Sequence, residues 1–472
     1  MKQSLFLFLS ITTLLIGCGE TAPPSTENPG CSVDMPERSF GDDSQMIRKA
    51  GLSLAMDGAC NLVFVGMAEK PIDLGGGPVG TSSGPFTFVA KLDRHGNHRW
   101  SRALPTGANV TGKRALAVDA KGDIVLAGSV RADVDLGGGA LGGEFERSSD
   151  LFLLGLDTDG NHRFSKRFAG NLPKDKGYAG GFSRSVESIV MDADGNLVIA
   201  GPFIGSVDLD GTIFTSVPLE LPPQPTEYKE DVLIAKFSRE GALLWGHRFG
   251  GDSNDRYVGL DIRPSGDVLL VHSHFPDTMI NMDPVGIVFH EFGPGGESIN
   301  TFFSEGSYLF APPSVVATED GGVVIGGAGN LDLKTSGVFE PAFVARLSAE
   351  HTLVVGGAVD SDKTAVVSAV WPEENDGMGS LGWFAGTLLL QGKVLASAKS
   401  DLEAFALDIA KTDPPGAATT WGVDNDPMAI TMVQTPSGEQ VVLGLGGPVL
   451  DPFEDPPTTI TGGMRLVVRK RP

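Results

Sequence analysis

The stretch that decides the fold runs from residue 115 to residue 170 and reads ALAVDAKGDIVLAGSVRADVDLGGGALGGEFERSSDLFLLGLDTDGNHRFSKRFAG. Its apolar residues predict four β-strands, at 115–119, 124–130, 151–157 and 162–168. Lys-Gly-Asp joins the first two strands and Asp-Gly-Asn joins the last two, and these residues suit the positive φ angles of tight hairpins. A single sheet of this size cannot bury both of its faces, so it must stack on copies of itself.

Copies of this unit recur along the whole chain. The segments VAKLDRHGNHRWSRAL, LGLDTDGNHRFSKRF and IAKFSREGALLWGHRF belong to three of them. We place the copies at 51–107, 115–170, 186–251, 257–306, 314–359, 365–423 and from 428 onward. The last copy stops one strand early, and residues 36–41 (PERSFG) resemble the strand that it lacks. The N-terminal strand is therefore predicted to complete the last copy, which would remove the open edges of the array.

These features predict an all-β fold, a β-propeller of seven four-stranded blades. Its ring is closed by the N-terminal strand at 36–41, and a single domain covers 36–472. Merging or missing the divergent copy at 365–423 would change the number of blades to six or eight. A β-solenoid or a pair of sandwiches is the alternative, but a blade of four strands is longer than a solenoid coil. A solenoid also has no reason to share one strand between its two ends.

The first 17 residues predict an export signal, with a basic start followed by an apolar run too short to span a bilayer. The segment Leu-Ile-Gly-Cys that ends at Cys18 resembles the lipobox of bacterial lipoproteins. That resemblance implies cleavage before Cys18 and its acylation with diacylglycerol and palmitate, which together exceed the threshold for stable anchoring. Gly19 favours sorting to the outer membrane. The alternative is a plain secretory signal in which the cysteine is incidental.

Residues 18–35 comprise the lipidated cysteine and a polar, proline-rich segment, which we interpret as a flexible tether. Two cysteines remain, Cys31 and Cys60. In an exported protein an even pair of cysteines predicts a disulfide bond. Two separate thiols are the alternative, because the spacing alone does not demand a bridge.

The charge of the chain excludes one class of partner. The formal net charge is −23 at pH 7, so the surface should repel nucleic acids and anionic lipid head groups. An acidic surface mostly serves solubility, and it therefore identifies no partner.

The repeat as a whole resembles a known family. Its Asp-Gly-Asn turn, its Asp-Leu-Gly-Gly-Gly loop and its Phe-Val-Ala-Lys-Leu-Asp strand are similar to the β-propeller repeat of bacterial surface lipoproteins. The likeness covers residues 36–472 and fades toward 365–423. It implies a propeller fold in the cell envelope, on the periplasmic or surface side, but no reaction and no catalytic residues.

His272 and His274 depart from the repeat, because His272 stands where other copies have glycine. Residues two apart on a strand share a face, so both rings can meet one metal ion with a carboxylate such as Asp277 or Asp283. The alternative is a pair of polar residues at a strand end in a degenerate copy.

Other site-like motifs are better explained as turns. The segments at 157–161 and 192–196 resemble the start of a calcium loop, but phenylalanine occupies the position of the required bidentate glutamate. The Asp-Leu-Gly-Gly-Gly loops precede no helix that could hold a phosphate. No nucleophile-elbow, zinc-helix or paired-cysteine motif is present, and no motif predicts a cofactor.

We therefore expect a lipid-anchored, non-catalytic binding or scaffold module for a protein or glycan partner. The insertions at 218–230 and 448–463 both join second to third strands, so they should lie on one rim and form the contact surface. The competing hypothesis is a polysaccharide lyase or hydrolase with its site at the mouth of the propeller channel. A structural envelope component without a small ligand is a third alternative.

Overall fold

The structure is a computed structural model. It describes residues 31–41, 47–81, 84–130, 133–142, 150–171, 186–219, 227–251, 253–276, 285–332, 338–339, 342–373, 375–390, 392–398, 403–410, 419–421, 428–445 and 463–469.

The stretch that decides the fold forms one antiparallel sheet. Its main strands are Leu116–Val118, Ile124–Val130, Asp150–Leu156 and His162–Phe168, within two residues of the predicted bounds. Strands adjacent in sequence are adjacent in the sheet. Both middle strands are buried at every residue, because apolar side chains of the preceding and following sheets cover the two faces.

The same strand order recurs in the other main sheets. They are built from Arg48–Met56, Leu62–Ala68, Phe86–Leu92 and His98–Ala103; Ser188–Met191, Leu197–Phe203, Asp231–Phe237 and Leu243–Phe249; Ser253–Ile262, Val268–Pro276, Gly286–Phe292 and Ser298–Glu305; Ser314–Ala317, Val323–Asp332, Ala342–Leu347 and Leu353–Ser361; Thr364–Pro372, Met378–Ala385, Glu403–Ile409 and Thr419–Trp421; and Met428–Gln434, Gln440–Leu445, Met464–Arg469 and Arg38–Phe40. We name each sheet by its span, and the last one the closing sheet.

The first strand of each sheet lies against the first strand of the next, so these inner strands form a ring. Met428–Gln434 contacts Arg48–Met56, which completes the circle. The closing sheet also contains the N-terminal strand Arg38–Phe40, antiparallel to Met464–Arg469, with Arg38 opposite Leu466 and Phe40 opposite Met464. The predicted propeller fold and its closing strand are therefore confirmed.

The prediction of seven four-stranded blades is confirmed only in part. Among the main sheets of the described residues, five have four strands, one has five and one has eight. The largest is the 314–361 sheet, which gains the hairpin Thr387–Leu390 and Lys393–Ser397 from the following repeat. The four-stranded blade is the common unit, but one hairpin joins the sheet of the preceding repeat, an arrangement that the repeat pattern does not encode.

The two rims of the ring differ. On one rim the turns that the structure describes are short, and each closes with a backbone hydrogen bond such as Asp157 N to Asn161 O, 2.8 Å. On the other rim the second-to-third-strand connections carry extra hairpins. These are Ile72–Asp73 with Pro78–Val79, Ser206–Leu209 with Thr212–Thr215, Pro218–Leu219 with Glu227–Tyr228, and Thr387–Leu390 with Lys393–Ser397. We call these the turn rim and the hairpin rim.

Tryptophan side chains connect two of the sheets to the sheet that follows each of them at the turn rim. Trp100 Nε1 donates to Thr158 O at 3.0 Å, and Trp245 Nε1 donates to Pro294 O at 3.1 Å. The glycine of the contacted turn is required, because a Cβ on Gly160 would lie 2.8 Å from the Trp100 ring. The turn motifs that resemble metal loops are thus explained by packing and by positive φ, +80° at Gly160.

Buried lysines join neighbouring sheets at the same level. Lys91 Nζ lies 2.9 Å from Asp57 Oδ2, and each side chain is 4% exposed. Lys91 also donates to Thr158 Oγ1 of the next sheet at 2.6 Å. Lys236 pairs with Asp192 in the same way, at 2.9 Å. Lys91 and Lys236 occupy equivalent positions in their repeats, so the buried ion pair is a recurring feature of the repeat.

The folded body begins earlier than predicted. Residues 31–35 were assigned to the tether, but Cys31, Val33 and Met35 are buried and pack in one cluster with Cys60. Cys31 and Cys60 form the predicted disulfide, with their Cα atoms 5.7 Å apart. The boundary at residue 36 is therefore wrong, because these apolar side chains add to the core between the closing sheet and the 48–103 sheet. The signal segment and Cys18 lie outside the described residues.

Candidate functional site

The inner strands enclose a central channel that contains a cavity of about 410 Å³. The cavity lies toward the turn rim, because its lining includes residues at the ends of inner strands, such as Met56, Asp261 and Gln434. Apolar side chains from several sheets form much of the wall. A cavity of this volume is within the usual size range of small-molecule sites. We call this cavity the cup.

Two basic side chains form the floor of the cup. Lys113 and Arg114 line both the cup and a much smaller cavity on their other side. Arg114 Nη1 donates to Val315 O at 3.0 Å and its Nη2 donates to Ser314 Oγ at 2.9 Å. Lys113 Nζ donates to Pro312 O at 3.1 Å. Both side chains therefore cross the channel to a distant part of the chain and are fixed there.

A glycine places this basic pair in the channel. A Cβ on Gly112 would lie 1.9 Å from Val186 O, so the main chain passes the next repeat at a distance that only glycine permits. Arg114 N then donates to Glu187 O at 3.1 Å, and Ile189 N donates to Arg114 O at 2.7 Å. The backbone before Leu116–Val118 therefore packs directly against the inner strand of the next sheet. The side chains of Lys113 and Arg114 are directed toward the axis of the channel.

Asp261 contributes the opposite charge to the cup. Its Oδ2 accepts a hydrogen bond from Ala317 N at 2.8 Å. Burial raises the pKa of Asp261, and the nearby Arg114 guanidinium acts against that rise. Burial likewise lowers the pKa of Arg114, but a guanidinium stays protonated in proteins. The cup thus combines fixed cationic donors with one carboxylate.

The competing hypothesis of an enzyme required ionisable groups that converge at the channel. Lys113, Arg114 and Asp261 do converge there. Glycoside hydrolysis, however, uses two carboxyl groups, one as the acid and one as the base or nucleophile. Of the described residues that line the cup, Asp261 is the one acidic residue. This geometry is suited to recognition, and it does not favour the hydrolase over the binding module.

The two predicted histidines lie elsewhere, in the 253–305 sheet at the hairpin rim. His274 Nδ1 is 2.9 Å from Asp255 Oδ1, and His272 Nδ1 is 3.5 Å from the same oxygen. His272 Nε2 lies 3.2 Å from His290 Nε2, and His290 Nδ1 lies 3.2 Å from Thr301 Oγ1. The structure therefore brings the two rings to one carboxylate and adds a third histidine.

The contact between His272 and His290 constrains their protonation. One of the two Nε2 atoms must donate and the other must accept, so the accepting ring is neutral. Assigned from the hydrogen-bond network, His290 carries its proton on Nε2 and accepts from the Thr301 hydroxyl at Nδ1. Burial lowers the pKa of His272, and burial together with the nearby His272 lowers that of His290 to about 3.

Ser253 lies close to this group without completing a catalytic triad. Its Oγ is 3.1 Å from His274 Nδ1, and that same nitrogen contacts Asp255. In a Ser-His-Asp triad the serine and the carboxylate contact opposite nitrogens of the ring. Ser253 is also only 2% exposed. The arrangement is a buried hydrogen-bond network, in which the serine is not placed as a nucleophile.

The histidine network predicts acid sensitivity. Because the pKa of His290 in the folded state lies below its unfolded value near 6.5, the stability that it contributes is complete above pH 6.5. It is lost as the pH falls toward 3, by about 1.4 kcal/mol per pH unit. We expect wild type to lose about 2–3 kcal/mol more than His290→Gln between pH 7 and pH 4.5, measured by urea unfolding.

The raised pKa of Asp231, about 6, produces the opposite trend, because an aspartate that binds its proton more tightly when folded stabilises the protein as the pH falls. That trend is the same in wild type and in His290→Gln, so it cancels when the two are compared. Equal losses in wild type and His290→Gln would contradict the assignment of a neutral, buried His290.

The metal hypothesis for His272 and His274 stays a prediction. The two carboxylates suggested for it, Asp277 and Asp283, lie outside the described residues. Within the described part of the chain, no group of three or more His, Cys, Asp or Glu side chains is arranged to hold a metal ion. Asp255 is the nearest carboxylate that the structure places against the two rings.

The remaining site predictions fall partly within the structure. Pro218–Leu219 and Glu227–Tyr228 pair as a hairpin, on the rim where this insertion was expected, whereas residues 220–226 and most of the second insertion lie outside the described residues. The Asp-Leu-Gly-Gly-Gly loops are turns: Asp135 Oδ1 accepts from Gly137 N at 2.7 Å and from Gly139 N at 2.9 Å. No described helix is long and apolar enough to cross a membrane.

Sequence reasoning missed Lys113, Arg114 and Asp261. A signal was available, because alignment of the repeats on their first turn places Asp261 opposite Ala55 and Val190 of other copies. The same alignment places Arg114 opposite Leu52 but also opposite the charged Glu187, so its position gives no such signal. The charge at 261, where the sister copies are apolar, indicates a side chain directed to the channel.

Comparison with known proteins does not identify a family or an activity. No family model matches the chain, and no curated protein matches it. Among solved structures, the chain is similar to a protein of unknown function from Dyadobacter fermentans, with 11% identity over 77% of this chain and 95% of that one and a TM-score of 0.39. It is also similar to the polysaccharide lyase Uly1, with 10% identity over 89% of each chain and a TM-score of 0.47.

A third similar structure is the β-propeller domain of the Trilobed protease from Pyrococcus furiosus, with 12% identity over 84% of this chain and 91% of that one and a TM-score of 0.40. Identities this low transfer no activity. The class of the protein follows from its own sheets: it is a β-propeller whose closing sheet takes strands from both ends of the chain.

Proposed function

We propose that this protein is a lipid-anchored propeller of the bacterial cell envelope that binds a protein or glycan partner through its hairpin rim. The observation that carries the proposal is the asymmetry of the ring. The turns of the turn rim that the structure describes are short and internally hydrogen-bonded, whereas the hairpin rim carries additional strands between the second and third strands of several sheets. Binding residues concentrate on loops that a rigid scaffold positions.

The anchor in this proposal is Cys18, and its support is the lipobox-like segment that ends there. Residues 19–30 would separate the body from the bilayer, by at most about 40 Å if fully extended. Gly19 supports the outer membrane as the destination. The folded body that follows contains the Cys31–Cys60 disulfide near its start. Such a bond forms in oxidising compartments such as the periplasm.

The anchor is tested by detergent phase partition of the full chain expressed in a bacterium. We expect wild type in the detergent phase and Cys18→Ser in the aqueous phase, because two or more acyl chains give stable membrane binding and none gives no anchor. Cys31→Ser is the matched control and should stay in the detergent phase. Wild type in the aqueous phase, or Cys18→Ser in the detergent phase, would show that Cys18 is not the anchor.

Partner binding is tested with the immobilised full chain and solubilised envelope from the same bacterium. The proposal expects a saturable partner that is recovered unchanged, and whose retention is lost when the 206–215 hairpin is shortened to a two-residue turn. The turn at 435–439 on the opposite rim cannot be removed as a control, because the Ser437 hydroxyl donates a hydrogen bond to Cys31 O. Lys121→Met, an exposed change on the turn rim, serves instead. A polysaccharide recovered at reduced length would favour the enzyme hypothesis.

A further inference from the structure

The cup lies at the turn rim, away from the rim to which we assign the partner, so its occupant is a separate question. Its floor carries two cations in a chain with a net charge of −23. Backbone carbonyls and one serine hydroxyl hold Lys113 and Arg114 in place, and Asp261 is the carboxylate that lines the cup with them.

Arg114 still has hydrogen-bonding capacity. A guanidinium has five N–H donors, and two of them are used in the bonds to Val315 O and Ser314 Oγ within the described part of the chain. Those two bonds fix the plane of the group. A guanidinium fixed in this way is prepared for a planar anion, because its parallel N–H groups match the two oxygens of a carboxylate.

The rest of the wall suits a ligand with hydroxyl groups and an apolar face. Asp261, Thr431 and Gln434 provide acceptors and donors, whereas Leu54 and Ile189 provide apolar surface. Polar groups that fix orientation beside apolar surface are typical of small-molecule sites, and the cup has both kinds of surface. Asp261 is held by Ala317 N, so it can accept hydroxyl hydrogen bonds without first being ordered.

We propose that the cup binds a small hydroxylated carboxylate, of the chemical class of the sugar acids, with its carboxylate on Arg114 and Lys113 and its hydroxyl groups on Asp261 and Gln434. The ligand enters from the turn rim, because the basic pair closes the channel below it. Binding at this site does not depend on the partner proposed for the hairpin rim.

Calorimetry of the full chain in detergent at low salt tests the site with four probes. These are glucuronate, glucose, acetate and inorganic phosphate. Glucuronate should bind at least about tenfold more tightly than glucose, which lacks the carboxylate, and than acetate, which lacks the hydroxyl groups. Glucuronate that binds no better than glucose overturns the proposal. Phosphate or acetate that binds as tightly as glucuronate would show a general anion site and also overturns it.

Variants locate the binding. Arg114→Gln should weaken glucuronate binding by about tenfold or more, because a charged hydrogen-bond donor is removed, whereas Arg99→Gln, an exposed position, should leave it unchanged. Because Arg114 also holds Ser314, its loss can impair folding. Gln434→Trp therefore provides a second test, since a large ring at the mouth should exclude the ligand without touching the floor. Folding of both variants is checked by thermal unfolding, and unchanged affinity in a folded Arg114→Gln or Gln434→Trp overturns the proposal.

Discussion

Replacement of Lys91 by methionine should lower the free energy of unfolding by about 3–5 kcal/mol, the usual cost of removing one partner from a buried ion pair. Asp57 would keep its charge in a place where its side chain is only 4% exposed. Methionine conserves most of the volume of lysine, so the loss reports the charge and the bond to Thr158 Oγ1. The measurement is the midpoint of guanidinium unfolding at pH 7.

Two controls separate this ion pair from general effects of the substitution. Lys121→Met, at an exposed position, should change stability by no more than about 0.5 kcal/mol. Lys91→Met leaves the charge of Asp57 without its partner, and Asp57→Asn removes that charge. The asparagine side chain can still accept a hydrogen bond from Ala59 N. The loss of stability in the double variant should therefore be smaller than the sum of the losses in the two single variants. Strictly additive losses would mean that the two residues are not coupled.

Removal of the disulfide should cost about 3–4 kcal/mol, because the bond closes a loop across a sequence separation of 29 residues. Cys31→Ala and Cys60→Ala should each show this loss, and the double variant should lose little more, since either single change already opens the loop. Incubation of the oxidised protein with dithiothreitol should reproduce the effect. If the unfolding midpoint of the double variant equalled that of wild type, the cross-link would contribute nothing to stability.

The fold was predictable where local signals and repetition agree. The strands of the 115–170 stretch were placed to within two residues because Gly-Asp and Asp-Gly-Asn turns bracket each buried run. The closing strand was found because Arg38–Phe40 repeats a pattern seen in complete copies. The tether boundary failed because Cys31, Val33 and Met35 form no strand, and their burial comes from contacts distant in sequence.

The site was less predictable, because its residues come together only through the ring. His272 and His274 were recognised as departures from the repeat, but their neighbour Asp255 was not, since it faces them across a strand pair whose register the sequence does not reveal. Arg114 meets Ser314 across 200 positions of sequence. Contacts of this kind depend on closure and on channel width, which the blade pattern of a single repeat does not encode.

The position of the disulfide also determines how the molecule would respond to mechanical force. Cys31 precedes the closing strand Arg38–Phe40, and its partner Cys60 lies in the turn between the first two strands of the 48–103 sheet. A pull on the chain before residue 31 is therefore transmitted through a covalent bond into that sheet. The three-residue pairing of Arg38–Phe40 with Met464–Arg469 is bypassed, so the ring can stay shut under a tension that would peel the same strand from a reduced protein.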